Sequence, residues 1–201
     1  PTRRDPRVAA VLESPLEAEE QLSRDTSAML VHRTRASKLR MAAGLDHVIE
    51  SPATFRVHTE TQPDWARTTV ACVLHPGQKL RVVKLLAYGW SSQRSLPALR
   101  DQVDAAITSA RFAGWEGLCS SQRKFLDAFW DGADVRVDGD PAVQQAVRFA
   151  LFHVLQSGAR AENRPIAAKG LTGPGYDGHV FWDTEMFVLP VLTYTAPPAA
   201  G

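Results

Sequence analysis

The stretch SLPALRDQVDAAI, residues 95–107, is where the chain changes from the pattern of strands to the pattern of helices. Ser95 can cap a helix, and Pro97 is tolerated in its first turn. Three apolar residues then recur at the spacing of one helical face: Leu99, Val103 and Ile107. Because strands precede this stretch and helices follow it, the sequence predicts an α+β protein of more than one domain.

Five extended stretches precede residue 95: 28–34, 38–49, 54–61, 68–74 and 80–88. Within the third, apolar and polar residues alternate, which is the period of a half-buried strand. The turn-forming residues HPGQ (75–78) separate the last two stretches and predict that these two form a hairpin. Successive strands with short turns favour an antiparallel sheet or a β-sandwich.

Four helices are expected after residue 95, over 96–113, 120–130, 141–156 and from 183 to about 189. Gly114 is expected to end the first and Gly132 to interrupt the second. Asp140 follows a short extended piece and is a good N-cap for the third. Pro190 is expected to kink or end the fourth.

The composition is that of an ordinary globular chain, with 201 residues, 44% hydrophobic, and a net charge of +1. Its length allows one large domain or two small ones. The balanced charge predicts no nucleic-acid partner, and no apolar run approaches the ~18 residues of a membrane span. Cys72 and Cys119 lack metal-ligand spacing, so we expect a reduced, cytoplasmic setting. Because the chain starts at Pro1 without methionine, we expect a piece of a longer polypeptide.

A glycine-rich stretch, KGLTGPGYDGHVFWDTE (residues 169–185), carries the most chemical information. Its glycines let the backbone approach a ligand closely, and it delivers Trp182 and Asp183 to the start of a helix. An indole face can pack against the C–H side of a sugar, while a carboxylate can accept hydrogen bonds from two neighbouring hydroxyls. The residues alone favour a simpler interpretation, in which Trp182 is a core residue and Asp183 an N-cap.

Four motifs, in this order and spacing, resemble glycoside hydrolase family 65, which holds maltose, trehalose and kojibiose phosphorylases and some acid trehalases. They are DGD at 138–140, QQAVRFALFHVLQ at 144–156, AKGLTG at 168–173 and GHVFWDTE at 178–185. LVHRT at 30–34, with Ser37, is similar to the family's sandwich domain. Ala150 departs from the polar residue that many relatives carry after Arg-Phe.

The resemblance implies a fold of three parts. Residues 1–94 would be the C-terminal part of an N-terminal β-sandwich, and 95–133 a helical linker. Residues 134–201 would form the first helices of an (α/α)6 barrel, which is the catalytic domain of the family.

The resemblance also implies roles for single residues. Trp182 and Asp183 would contact the glucosyl unit that is transferred, with His179 and Glu185 as supports of the same motif. Arg148 would reach the pocket or pair with an acidic neighbour, and the second alternative is favoured. No catalytic residue and no metal ligand is expected in this chain.

An inverting hydrolase needs two carboxyl groups ~6.5–9.5 Å apart, on opposite sides of the bond. Asp183 and Glu185 are two positions apart on a predicted helix and do not share a face, so they are not that pair. In the family's phosphorylases phosphate replaces the activated water and one acid is enough. That acid and the phosphate site would lie beyond Gly201.

The expected reaction is phosphorolysis of an α-linked disaccharide of the trehalose or maltose type to β-glucose 1-phosphate and glucose. Inorganic phosphate would be the co-substrate, with no other cofactor, and the full-length enzyme would be a homodimer. Two alternatives stay open: a hydrolase of the acid trehalase type, and a non-catalytic piece that binds carbohydrate or serves in assembly.

Overall fold

The computed structural model describes residues 15–158, 165–172 and 175–200. They belong to two compact units that meet in the chain between Ser120 and Ser121. Strands come first and helices second, which confirms the antiparallel sheet and the helices of the predicted class. The sandwich, the barrel and the domain bounds at 94/95 and 133/134 stay predictions. None of the helices in the described residues combines the length and the hydropathy of a membrane-spanning segment.

The first unit contains six strands: β1 (Leu16–Arg24), β2 (Ser27–Thr34), β3 (Arg40–Glu50), β4 (Phe55–Gln62), β5 (Trp65–Cys72) and β6 (Arg81–Ser91). Four of them form an antiparallel sheet in the order β1-β2-β3-β6, and β4 and β5 form a separate antiparallel pair. The pair is tied to the β1–β2 turn, since the Thr59 hydroxyl donates to the Asp25 carbonyl at 2.7 Å.

The predicted hairpin of residues 68–74 and 80–88 is wrong. β5 pairs instead with β4 through the two-residue turn Pro63–Asp64, and β6 pairs with β3 over their full length. The turn at 75–78 does form, with the Gln78 N–H donating to the His75 carbonyl at 3.0 Å, but it connects strands of different sheets. A two-residue connection closes a hairpin more readily than a longer one. β5 therefore pairs with β4 and not with β6.

Helix α1 (Leu96–Ala133) packs its first turns on the four-stranded sheet. The predicted apolar face is confirmed, because Leu99, Val103 and Ile107 are buried in one core cluster with Met29, Val31 and Ala42 of the sheet. Glycines let the helix approach closely. A methyl group built on Gly44 would lie 2.6 Å from Val103 and 2.8 Å from Ile107. Close packing of this kind makes the helix and sheet one core.

The break predicted between Gly114 and residue 120 is limited to one residue. Gly114 has φ 68° and ψ 172°, and helical structure resumes directly after it. A single left-handed glycine interrupts the helical hydrogen-bond ladder, and no proline follows to prevent its restart. Gly132 does not interrupt the helix, which ends one residue later.

The second unit contains α2 (Pro141–Gly158), α3 (Leu189–Thr195) and α4 (Pro197–Ala200), with a 3-10 turn at Gly175–Gly178 and a π-helical turn at Thr184–Val188. Asp140 caps α2 as predicted, since its carboxylate accepts the Ala142 N–H at 2.8 Å. Pro190 lies in the first turn of α3, so the expected helix from 183 is divided into a π-helical turn and a new helix. A small core joins α2 to the end of α1: Phe129, Ala133 and Leu155.

Candidate functional site

The segment that leads into α2 is held by two side chains one helical turn apart. The Gln144 side chain accepts the Val137 N–H and donates to the Val135 carbonyl, both at 2.8 Å. Arg148 donates from Nε to Asp134 Oδ1 at 2.8 Å, and from a second nitrogen to Oδ2. Arg148 therefore pairs with an acidic neighbour, which is the favoured one of the two predicted alternatives.

The contact favours the charged form of both groups. The hydrogen bonds from Arg148 hold the pKa of the Asp134 carboxyl below its ordinary value, and the same contact raises the pKa of the Arg148 guanidinium. A bidentate contact of this kind fixes geometry as well as charge. Arg148 thus holds the chain in place before α2.

Two hydrogen bonds close the base of the glycine-rich loop. The Ala168 N–H donates to the His179 carbonyl at 3.0 Å, and the Thr184 hydroxyl donates to the Ile166 carbonyl at 3.4 Å. His179 and Thr184 flank residues 180–183. Both bonds therefore hold the segment on which the predicted sugar-binding residues lie.

Inside the loop, the hydroxyl and the N–H of Thr172 both donate to the Lys169 carbonyl, at 2.6 and 2.9 Å. The ring of Tyr176 stands edge-on to that of Phe181, with 5.1 Å between their centroids. These contacts give the loop an internal framework. Two parts of the predicted loop region lie outside the described residues: 159–164 and 173–174.

Trp182 and Asp183 lie side by side where the π-helical turn begins. The Trp182 carbonyl accepts the N–H groups of Glu185 and Met186 at 3.0 and 3.2 Å, and its side chain is 83% exposed. Asp183 occupies the N-cap position, but it has helical φ and ψ and its carboxylate makes no capping hydrogen bond. The structure therefore shows neither a core tryptophan nor a capping aspartate.

Exposure alone does not distinguish Trp182, because Met186 and Phe187 on the same turn are 69% and 68% exposed. The distinguishing feature is the adjacent carboxylate that is not used by the helix. The π-helical geometry is a second one, since such turns are rare and occur frequently at functional sites. An indole face beside a carboxylate can hold a sugar by its C–H face and its hydroxyls.

The two predicted supporting residues are placed differently. His179 contributes through its backbone, because its N–H donates to the Tyr176 carbonyl at 2.9 Å and its carbonyl accepts the Ala168 N–H, while its side chain is exposed. Glu185 lies in the first π-helical turn with an exposed side chain, and its supporting role stays a prediction. Among the residues described, no group of three or more His, Cys, Asp and Glu side chains could hold a metal ion.

Sequence reasoning did not identify Thr184, whose hydroxyl closes the loop base. Its signal was present, because a threonine that directly follows the Trp-Asp pair can bond a nearby backbone carbonyl. It also did not identify Ser157, which lies beside Gly170. No local pattern marks that contact, since the two residues belong to different segments.

Comparison with family models defines the class of protein. A model described as the glycosyl hydrolase family 65 N-terminal domain matches residues 1–129. A second, described as the glycosyl hydrolase family 65 central catalytic domain, matches residues 148–201. The chain belongs to glycosyl hydrolase family 65. The range matched by the catalytic-domain model includes every candidate site residue: Arg148, His179, Trp182, Asp183 and Glu185.

Curated relatives agree with this membership. An uncharacterized glycosyl hydrolase of Mycobacterium tuberculosis (strain ATCC 25618 / H37Rv) is 63% identical over 200 residues, covering 100% of this chain and 25% of its own length. An alpha,alpha-trehalose phosphorylase of Thermoanaerobacter brockii is 34% identical over 85% of this chain and 22% of its own. A kojibiose phosphorylase of Halothermothrix orenii is 43% identical over 50% of this chain and 13% of its own. The chain spans about a quarter of the length of the first of these relatives.

The fold is also similar to a solved structure. That chain, assigned as a kojibiose phosphorylase from the human microbiome, matches with a TM-score of 0.79 over 92% of this chain and 24% of its own. The sequence identity is 21%, so this likeness supports the fold alone.

Proposed function

We propose that the complete protein is an inverting phosphorylase of α-linked glucose disaccharides. In this proposal Trp182 and Asp183, the sugar-binding pair, hold the glucosyl unit that is transferred. Phosphate would cleave a disaccharide of the trehalose, maltose or kojibiose type and release β-glucose 1-phosphate and glucose.

The observation that carries the proposal is the state of the sugar-binding pair. Asp183 stands at an N-cap position without capping, so its carboxylate is available for hydroxyl groups. A charge-assisted hydrogen bond to a sugar hydroxyl contributes roughly 1.5–3 kcal/mol. The exposed indole beside it offers an apolar plane for the opposite side of the sugar ring.

Phosphorolysis is supported by the names of two relatives, a trehalose phosphorylase and a kojibiose phosphorylase. The chemistry is consistent with the residues present. Inverting hydrolysis needs an acid and a base on opposite sides of the bond, whereas phosphate can replace the water that the base activates. Phosphorolysis therefore needs one general acid, which we place with the phosphate site outside these 201 residues.

The test uses the complete polypeptide, at the length of its curated relatives, with trehalose, maltose or kojibiose in the presence and absence of phosphate. The expected result is equimolar glucose and β-glucose 1-phosphate that form only when phosphate is present. The 201-residue chain alone is expected to release neither product.

A hydrolase of the same family is the second candidate, because the relatives 63% identical to this chain are named glycosyl hydrolases. Glucose release at the same rate without phosphate would support it and contradict the phosphorylase. Glucose binding by the complete polypeptide without turnover of any of the three sugars would support a carbohydrate-binding module.

A further inference from the structure

The last two residues of α2, Ser157 and Gly158, contact the chain on both sides of the sugar-binding pair. On the N-terminal side, a methyl group built on Gly170 would lie 2.3 Å from Ser157 Oγ and 3.3 Å from its Cβ. On the C-terminal side, a methyl group built on Gly158 would lie 2.9 Å from a methyl carbon of Leu192. The separations of 2.3 and 2.9 Å are shorter than the contacts that real methyl groups make, so Gly170 lies directly against Ser157, and Gly158 against Leu192.

Both contact points on α2 are themselves fixed. The Ser157 hydroxyl donates to the His153 carbonyl one turn earlier at 2.9 Å, which holds its oxygen in one position. Gly158 is buried, and Leu192 of α3 is among the most fully buried side chains. The end of α2 therefore offers two fixed contact points, one to Gly170 and one to Leu192.

Hydrogen bonds tie Gly170 to Ala167, and the neighbours of Ala167 to residues that flank the sugar-binding pair. The Gly170 N–H donates to the Ala167 carbonyl at 2.7 Å. The neighbours of Ala167 are the residues bonded at the loop base, where Ile166 accepts from Thr184 and Ala168 donates to His179. A displacement of Gly170 away from α2 would therefore shift the residues bonded at the loop base, on either side of the pair.

We propose that Ser157 and Gly158 are positioning residues, which set the place of Trp182 and Asp183 through contacts with Gly170 and Leu192. This inference rests on the proposed function, since it concerns the same site. Its physical basis is the small size of these residues and not a hydrogen bond to substrate. An orienting group matters because a misplacement of about 1 Å can reduce a rate ~100-fold.

The test is Gly170→Ala in the complete polypeptide, with kcat and KM measured for the disaccharide and for phosphate. We expect kcat/KM for the disaccharide to fall by about 10–100-fold, mainly through KM, with KM for phosphate unchanged. Ser157→Ala added to this variant removes the oxygen that the new methyl would meet, and should restore most of the loss. Gly139→Ala is the matched control, because Gly139 also has positive φ, 99°, but has open space around it.

The possible outcomes separate this inference from the proposed function. If Asp183→Ala lowers kcat/KM for the disaccharide while Gly170→Ala behaves like Gly139→Ala, the positioning role is overturned and the sugar-binding pair stands. The positioning role would also be overturned if the double variant Gly170→Ala/Ser157→Ala kept the low kcat/KM of Gly170→Ala. The same holds if Gly170→Ala raised KM for phosphate as much as KM for the disaccharide. If Asp183→Ala behaves as wild type, the proposed function itself is contradicted.

Discussion

Arg111 of α1 donates a hydrogen bond to the carboxylate of Asp46 on β3, which joins the helix to the sheet. The same carboxylate accepts the Thr26 hydroxyl and the His47 N–H, each at 2.7 Å. Burial alone would raise the pKa of Asp46, but the hydrogen bonds from Thr26, Arg111 and His47 outweigh it and hold the pKa below its ordinary value. The Asp46 carboxylate thus links α1 to the sheet through polar contacts within the first unit.

Asp46→Asn is expected to lower the free energy of unfolding at neutral pH by about 1–3 kcal/mol, because Arg111 loses its charged partner. The pKa of Asp46 is lower in the folded chain than in the unfolded one. Its contribution is therefore complete above the ordinary value of about 3.9 and is lost as the pH falls through the folded value. Urea midpoints of wild type and variant should differ at neutral pH and converge in acid. A difference independent of pH would show that the charge is not its source.

Gly44→Ala is expected to lower the free energy of unfolding by about 1–3 kcal/mol, because its methyl group would overlap Val103 and Ile107. Gly117→Ala is the control, since its methyl would lie an ordinary 3.6 Å from Ala113. Urea unfolding of both variants measures the cost of a methyl group that overlaps its neighbours against that of one that does not. Equal stability of the two would contradict the close packing of α1 on the sheet.

Periodicity within one segment was predictable, and pairing between segments was not. The spacing of Leu99, Val103 and Ile107 predicted a buried helical face because all three lie in the same helix. Nothing local shows that β6 pairs with β3, since any alternating strand could occupy that edge. β1 was not predicted at all, because its glutamates hide the alternation of apolar and polar residues that is typical of a strand. The structure pairs them with arginines of other segments: Glu17 with Arg33, Glu19 with Arg40 and Glu20 with Arg100.

Amide hydrogen exchange should be slower in β3 than in α2 of the 201-residue chain. β3 is flanked by strands on both sides and covered by α1, whereas α2 has much of its apolar surface uncovered, with Phe149 64% exposed. Amides of residues 143–154 are therefore expected to exchange faster than those of residues 42–47. Mass spectrometry of the monomer measures both. Equally slow exchange would mean that α2 is stable without further packing partners.

Those parts of the candidate site whose residues follow one another in the sequence were predictable. Trp182 and Asp183 were identified within one motif, and the capping role of Asp140 follows from the proline after it. The contact between Ser157 and Gly170 was not predictable, because the two residues belong to different segments of the chain. A sequence pattern also cannot show whether an aspartate at a helix start uses its carboxylate as a cap, which is the property that separates Asp183 from Asp140.

The most direct measurement is a comparison of Asp183→Ala with Asp140→Ala in the complete polypeptide, by disaccharide kcat/KM and by thermal unfolding. Asp183 lacks a capping hydrogen bond, whereas Asp140 accepts the N–H groups of Ala142 and Val143 at 2.8 and 3.3 Å. Asp183→Ala should therefore lose about 10–150-fold in kcat/KM with little change in Tm. Asp140→Ala should lose about 1 kcal/mol of stability and keep its activity. Wild-type kcat/KM in Asp183→Ala would contradict the account.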